Sequence, residues 1–354
     1  MPEEKRPITE EITSVAGSVA GDPISAAGDA GAVAGNPISA AGDTGEKPFV
    51  IDRAFMTYPR NFVRYKWFKP LLVGLIVVIL TTVFGVVLLL AGAVVAAGSG
   101  MDMQDFLATV TGGYDSFDVY TVQGVITTTG SVAVMLLALL IAAAIVRDRP
   151  FSSYASSRGG WNWSIFGKCL VTAFLAAVVP VVISNLLMPG DHVNRFSVLS
   201  FLLLTIVGPL QCVAEEFIFR GLILQTVGSW TRNSVIAIVV TTICFTAMHP
   251  YNWIGMLEIA ITCLFWCLII HRTNGLEASS AIHIVNNMLI FYMIGFGIST
   301  LSSETTVTDL ILATISNLLY YLAILYVDRK FHWFDGVQRD DVTEFNEREM
   351  ARGK

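Results

Sequence analysis

Charged residues are scarce in this 354-residue chain, where they make up only 14% of the residues while hydrophobic residues make up 54%. A soluble domain carries about 25% charged residues, so this composition is typical of a membrane protein instead. The formal net charge is -6, and the sequence has no basic block. The sequence therefore shows no electrostatic footprint for binding to nucleic acid.

Paired cysteines, nucleotide-binding loops and a secretory signal are missing as well. The five cysteines lie in apolar stretches without CxxC spacing, which argues against a disulfide scaffold and a cysteine zinc cluster. Glycine pairs such as "GGYDSF" have no strand and helix around them, so they do not predict a nucleotide loop. The N-terminus has no basic segment followed at once by an apolar core, so no signal peptide is predicted.

The first part of the chain, residues 1–52, differs from the rest in composition. It contains a duplicated segment, "VAGDPISAAGD" at Val19–Asp29 and "VAGNPISAAGD" at Val33–Asp43. Because alanine, glycine, serine, proline and aspartate offer little apolar surface to bury, we expect a disordered cytoplasmic tail here. Two copies are too few to build a solenoid.

From Lys69 onward, apolar segments follow one another at close to the 20 residues that a helix needs to cross a bilayer. The sequence predicts an all-α fold, a polytopic membrane helix bundle of about eight transmembrane helices. The predicted spans are Pro70–Ala97, Val122–Val146, Ile165–Met188, Val198–Val227, Ser234–Met248, Trp253–Ile270, Ser280–Gly297 and Leu310–Val327. The fifth is the shortest. We divide the chain into the tail 1–52, the first two spans with their loops at 53–164, a core at 165–327, and a solvated, mixed-charge cytoplasmic tail at 328–354.

Basic residues predict the orientation of the bundle. Arginine and lysine cluster before the first span and at the even-numbered exits, whereas residues 101–121 contain four aspartates and no lysine or arginine. Because basic loops stay in the cytoplasm, we expect a multi-pass protein of the cell membrane with both termini cytoplasmic.

The segment "VAEEFIFRG" places three ionisable groups inside an otherwise apolar span. One charge at the centre of a bilayer costs roughly 3 kcal/mol on insertion scales, so such groups are shielded from lipid or used in function. On a helix, Glu216 and Arg220 are four residues apart and share a face, which predicts an ion pair. Glu215 is turned about 100° away and is left available for chemistry.

Two later spans carry histidine. "FTAMHP" places Phe245 and His249 on one helix face, and "HIVNN" places His283 and Asn287 four residues apart, with Asn286 near the same face. A single histidine in a membrane helix usually bonds to a neighbouring helix. A glutamate and two histidines together form a set that takes a proton from water and stabilises the resulting anion.

Helix counting does not by itself bring these groups together. At about 1.5 Å per residue from the cytoplasmic ends, Glu215 lies about 20 Å deep, His249 about 22 Å and His283 about 10 Å. Tilted helices or an uneven cavity are needed to align them. The "VGP" segment at Val207–Pro209 predicts a kink that helps to do so.

The segments "EEFIFR", "FTAMH" and "HIVNN" resemble the EExxxR, FxxxH and HxxxN motifs of the CPBP intramembrane endopeptidases, also called the CAAX protease or Abi family. The resemblance extends roughly over residues 165–327. It implies an intramembrane endopeptidase that cleaves a membrane-embedded or lipidated peptide. It assigns Glu215 as the general base with His249 assisting, His283 and Asn287 as the oxyanion site, and Glu216, Arg220 and Phe245 as structural support.

Several alternatives stay open from the sequence. No cofactor is expected, but Glu215, His249 and His283 would also suit zinc from separate helices, although the HExxH pattern is missing. A proton-coupled transporter would also keep Glu, Arg and His in the membrane. A non-catalytic immunity or scaffold protein would use the same helices for contacts with a partner.

Overall fold

The computed structural model describes residues 50–353, except 113–117, 188, 250 and 300–304. The expected disordered tail at 1–52 therefore lies almost wholly outside the described residues. In the described part, the regular elements are helices, and strand pairing is limited to two isolated bridges, Ser156 with Gly275 and Pro189 with Ser299. The expected all-α bundle is confirmed.

The helices begin and end close to the predicted spans. Their bounds are α1 Lys69–Gly98, α2 Met103–Thr111, α3 Val122–Thr127, α4 Thr129–Val146, α5 Ser152–Ala155, α6 Trp163–Leu187, α7 Val198–Glu216, α8 Gln225–Thr231, α9 Ser234–Ala247, α10 Trp253–Thr273, α11 Glu277–Gly295, α12 Val307–Phe331 and α13 Asp341–Arg352. A π-helical stretch at Phe217–Leu224, here called the π segment, joins α7 to α8.

Side chains at the helix starts explain several of these bounds. Ser197 and Ser200 form a reciprocal capping box at the start of α7, and Thr306 and Asp309 form another at the start of α12. The side chain of Asn252 accepts a hydrogen bond at the start of α10. These caps satisfy backbone N–H groups that have no partner within the helix.

Seven helical stretches in the described part are long and apolar enough to cross a membrane, one fewer than the eight predicted spans. The exception is α9, which corresponds to the fifth predicted span and has only 14 residues. Such a helix is about 21 Å long, which is shorter than the hydrocarbon core.

The two ends of the described chain lie at the same end of the bundle. Arg53 pairs with Asp340 at 3.1 Å, and Arg64 pairs with Glu349 at 2.6 Å. The ends of α8 and α10 lie there too, because Arg60 donates to the Ser229 carbonyl and Asn274 accepts from the backbone N–H of Phe55. The chain between these ends must cross the bundle an even number of times. Helix α9 therefore leads away from this end of the bundle, although it is short, and α10 leads back to it.

The C-terminal segment is not the solvated tail that its charge pattern predicted. Residues 341–352 form α13, whose Val342 and Phe345 are buried against Tyr58 and Phe62. The Tyr58 hydroxyl donates to Asp341 at 2.5 Å, and burial together with this carboxylate raises the pKa of Tyr58. Among the charged residues of this segment, Val342 and Phe345 are three residues apart and share one helix face. This apolar face packs on the chain before α1.

Candidate active site

The π segment begins directly after Glu216, where α7 ends. Pro209 lies inside α7, which continues through it to Glu216, and the kink at "VGP" stays a prediction. A side chain at Gly221 would lie 2.8 Å from the carbonyl oxygen of Tyr154, and Arg149 donates to the Gly221 carbonyl at 3.2 Å. This close packing fixes the backbone that carries the acidic pair. π-Helical turns within α-helices occur frequently at functional sites.

The ion pair between Glu216 and Arg220 is present, as the spacing predicted. Arg220 Nη1 lies 3.0 Å from Glu216 Oε1, and both side chains are fully buried. The guanidinium also donates to the sulfur of Cys263 at 3.1 Å and lies 4.2 Å from the ring centre of Phe245. Through Arg220, these contacts join α7, α9 and α10. Removal of either charged partner would leave the other charge buried without compensation, which is strongly destabilising.

The imidazole of His283 lies between the two adjacent glutamates. Its Nδ1 atom is 3.1 Å from Glu216 Oε1, and its Nε2 atom is 3.6 Å from Glu215 Oε2. A carboxylate only accepts hydrogen bonds, so Nδ1 donates to Glu216 and Nε2 faces Glu215. His283 is 2% exposed, which leaves the ring little contact with lipid or solvent.

Helix counting had separated Glu215 from His283 by about 10 Å in depth. In the structure the two side chains are adjacent, because α11 starts below the surface of the protein and not at it. Glu277, its first residue, is fully buried and pairs with Arg158 at 2.8 Å. Arg158 also donates to the Thr273 carbonyl. The loop that carries Arg158 covers the start of α11, and His283 is therefore deeper than its distance from the helix end suggests.

Glu215 has a hydrogen-bond partner that the sequence analysis missed. Gln211 donates to Glu215 Oε1 at 2.9 Å, while Oε2 of the same carboxylate faces His283. Glu215 is 6% exposed. The available signal was the spacing, because Gln211 precedes Glu215 by four residues on one face of α7. The amide fixes one carboxylate oxygen and leaves the other directed to the histidine.

Phe245 and His249 lie beside this cluster but do not occupy equivalent positions. Phe245 is buried, and its ring centre lies 6.4 Å from that of His283. His249 is half-buried; its Nδ1 atom lies 2.8 Å from the Phe245 carbonyl oxygen, and the two rings are 4.6 Å apart. Among the described contacts, those of His249 lead to Phe245 and Tyr251, and none joins it to Glu215.

Asn287 lies one turn after His283 on α11 and is half-buried. Its side-chain oxygen accepts a long hydrogen bond, 3.3 Å, from the amide of Asn286. Asn287 shares a face of α11 with His283 by its spacing of four residues. Its function in the site stays a prediction.

The three candidate zinc ligands, Glu215, His249 and His283, lie on or just after the end of three separate helices. Within the described residues, no group of three or more His, Cys, Asp and Glu side chains is arranged to hold a metal ion. His283 and Glu215 face each other, and among the described contacts none joins His249 to either of them. As arranged, these residues do not fit the tetrahedral donor set of zinc.

Part of the chain matches a known protein family. Residues 195–289 match the family model described as "Type II CAAX prenyl endopeptidase Rce1-like". This part of the chain is similar to the Rce1-like endopeptidases. The match contains the acidic pair, both histidines and Asn287, so the resemblance drawn from the three motifs is confirmed at the level of the family.

The chain is also similar to a bacterial protein. "Uncharacterized protein YyaK" of Bacillus subtilis (strain 168) is 25% identical over 163 residues, which is 42% of this chain and 54% of that protein. The match thus spans about half the length of the curated relative. No solved structure matches the chain.

Proposed function

We propose that this protein is an intramembrane endopeptidase that hydrolyses a peptide bond of a membrane-embedded or lipid-modified peptide with water activated by Glu215. The observation that carries the proposal is the contact of His283 with both glutamates inside an Rce1-like domain. Glu215 presents one carboxylate oxygen toward His283 while Gln211 binds the other. A nearly enclosed carboxylate facing a histidine is the arrangement that proton transfer at a reacting centre requires.

In the proposed reaction, Glu215 Oε2 takes a proton from water, and the water oxygen attacks the scissile carbonyl carbon. The negative charge that develops on the carbonyl oxygen is stabilised by donors, for which His283 and Asn287 are the candidates on α11. The C–N bond then breaks, and the amine leaves with a proton returned from Glu215, with His249 assisting. Glu216 and Arg220 take no part in the transfer and hold His283 and the helices in place.

The position of His249 limits its proposed part. Its contacts place it behind Phe245, with no described contact to Glu215. Its assistance therefore depends on the peptide or water that occupies the site, because apo geometry in catalytic sites often tightens only with substrate bound.

Purified protein in nanodiscs tests the proposal with two internally quenched peptides that differ only in a C-terminal farnesyl group. We expect cleavage by the wild-type chain and a cleavage rate about 10²- to 10⁴-fold lower for Glu215→Gln, with closely similar melting temperatures for the two proteins. Preference for the farnesylated peptide would assign the lipidated substrate class.

A parallel measurement needs no chosen substrate. Membrane peptides from cells that express the wild-type chain or Glu215→Gln are compared by mass spectrometry, and at least one cleavage product should disappear in the variant. Identical peptide sets, together with no cleavage of either quenched peptide, would contradict the peptidase proposal and favour a transporter or a scaffold protein.

A further inference from the structure

A buried network of polar side chains joins α10 to α12 behind His283. The indole N–H of Trp266 donates to Asn317 Oδ1 at 2.9 Å. The Asn317 amide group donates to Thr262 Oγ1 at 3.0 Å and to the Ala313 carbonyl at 3.0 Å. Trp266 is 2% exposed, Asn317 6% and Thr262 7%. This network is buried and is separate from the acidic pair.

The orientation of the Asn317 amide is fixed by its partners. The oxygen faces an indole N–H, which only donates, while the NH2 group faces a carbonyl oxygen, which only accepts. A flipped amide would place two donors against each other and leave the carbonyl without its bond. Because buried polar groups without partners are costly in an apolar environment, the network specifies one position for the indole.

That position supports the histidine of the site. The ring centre of Trp266 lies 4.4 Å from that of His283, with an interplanar angle of 37°. The same indole lies 5.4 Å from the Arg220 guanidinium. The two nitrogens of His283 face Glu216 and Glu215, so the indole bounds the ring on a side that neither carboxylate restrains.

We propose that Trp266, held by Asn317, is a positioning residue that fixes the imidazole of His283 between the two glutamates. Helix α12, which carries Asn317, therefore contributes to the geometry of the site. Helix α12 lies outside residues 195–289, the part that matches the Rce1-like family model. The alternative is that the network only packs α10 against α12. The two differ in whether loss of the Asn317 oxygen changes His283.

Nitrogen-15 labelling of histidine in detergent distinguishes them without any substrate. The chain has five histidines, and His283→Gln assigns the resonances of His283. In Asn317→Leu we expect the Nδ1 and Nε2 resonances of His283 to shift or broaden, and in Trp266→Phe to change in the same way. Unchanged His283 resonances in both folded variants would overturn the proposal.

A matched control is offered by Asn61, which is also 6% exposed and donates to the carbonyls of Asp52 and Tyr58. Asn61 lies outside the site, so Asn61→Leu should lower the melting temperature and leave the His283 resonances at their wild-type positions. Shifts of equal size in this variant would show that general destabilisation causes the effect, and would overturn the positioning role.

Peptide cleavage supplies a second arm, which rests on the proposed function. Because small misplacement of a catalytic group costs up to about 100-fold in rate, Asn317→Leu should lower kcat by roughly 10- to 100-fold with little change in KM. In the Trp266→Phe background the same substitution should have almost no further effect, since the indole N–H is already gone. An equal, independent loss in that background would contradict the proposal. If no variant and no wild-type chain cleaves peptide, only the peptidase function fails, and the resonance arm still decides.

Discussion

The Nδ1 atom of His283 lies 3.1 Å from Oε1 of Glu216, the same oxygen that pairs with Arg220. The carboxylate therefore joins a buried cation on its own helix to an imidazole on α11. The two adjacent glutamates therefore have different surroundings. Glu216 contacts both Arg220 and His283, whereas Glu215, among the described residues, faces Gln211 and the other ring nitrogen of the same histidine.

The first prediction separates the two glutamates. Glu215→Gln keeps the shape of the side chain but removes the proton acceptor, so the cleavage rate should fall by about 10²- to 10⁴-fold with little change in stability. Glu216→Gln leaves Arg220 buried without its counter-charge, which costs about 3 to 5 kcal/mol and should reduce folding.

Cleavage rate and melting temperature of both variants in detergent provide the check. A fully active Glu215→Gln, or a stable but inactive Glu216→Gln, would reverse the assignment.

The second prediction concerns the two histidines. His283→Ala should abolish cleavage and also lower the melting temperature, because it removes a buried partner of Glu216. His249→Ala should lower cleavage while the melting temperature stays close to the wild-type value, since His249 is half-buried and, among the described residues, its ring bonds to the nearby Phe245 carbonyl. Activity and thermal unfolding are measured on the same samples. A His249→Ala protein that unfolds as readily as His283→Ala would show that His249 is structural.

The third prediction concerns metal. Prolonged dialysis against a chelator should leave cleavage unchanged, because the three donors do not form a zinc site as arranged. The metal content of the purified protein is measured in parallel. Loss of activity on chelation with recovery on addition of zinc would show that substrate binding rearranges His249 toward Glu215 and His283.

The fourth prediction tests the packing around the helix that follows the π segment. A side chain at Gly228 would lie 2.6 Å from the Met56 carbonyl oxygen, whereas the space around Gly85 in α1 is open. Gly228→Ala should therefore destabilise the protein by about 1 to 3 kcal/mol through overpacking. Gly85→Ala is the matched control and should be neutral or stabilising, since glycine inside a helix is unfavourable relative to alanine. Equal melting temperatures for the two variants would contradict the close approach of residue 56 to α8.

The fifth prediction concerns α13 and acid. Burial acts to raise the pKa of Asp340, but hydrogen bonds from Thr343 and the charge of Arg53 outweigh it, so this pKa lies below the usual 3.8. The hydrogen bond from Arg64 lowers the pKa of Glu349 below the usual 4.5. A lowered pKa in the folded state means that docking is stabilised above the unfolded value and loses this stabilisation as the pH falls through the folded one.

Protection of residues 341–352 against hydrogen exchange, measured relative to the intrinsic rate at each pH, should therefore be high at pH 7 and 5 and fall below about pH 4. A protein with Arg53→Ala and Arg64→Ala should show this lower protection already at pH 7. Equal protection at pH 7 and pH 3 would show that the apolar contacts of Val342 and Phe345 alone hold the helix.

The sequence by itself determined the elements of this protein and the contacts within each helix. Scarce charge and apolar runs of bilayer length predicted the membrane helices, and spacing of four residues predicted the pair of Glu216 with Arg220. Both are local properties, because a helix fixes which residues share a face. The three motifs "EEFIFR", "FTAMH" and "HIVNN" were sufficient to indicate the resemblance to the family.

Contacts between helices were decided only by the tertiary structure. Spacing along α11 gave the wrong depth for His283, because Glu277 starts that helix inside the protein. Likewise, no pattern joined Trp266 to Asn317 or placed α13 against Tyr58. The height and rotation of each helix follow from side chains packing against neighbours that are distant in sequence, and periodicity along one helix holds no information about those neighbours.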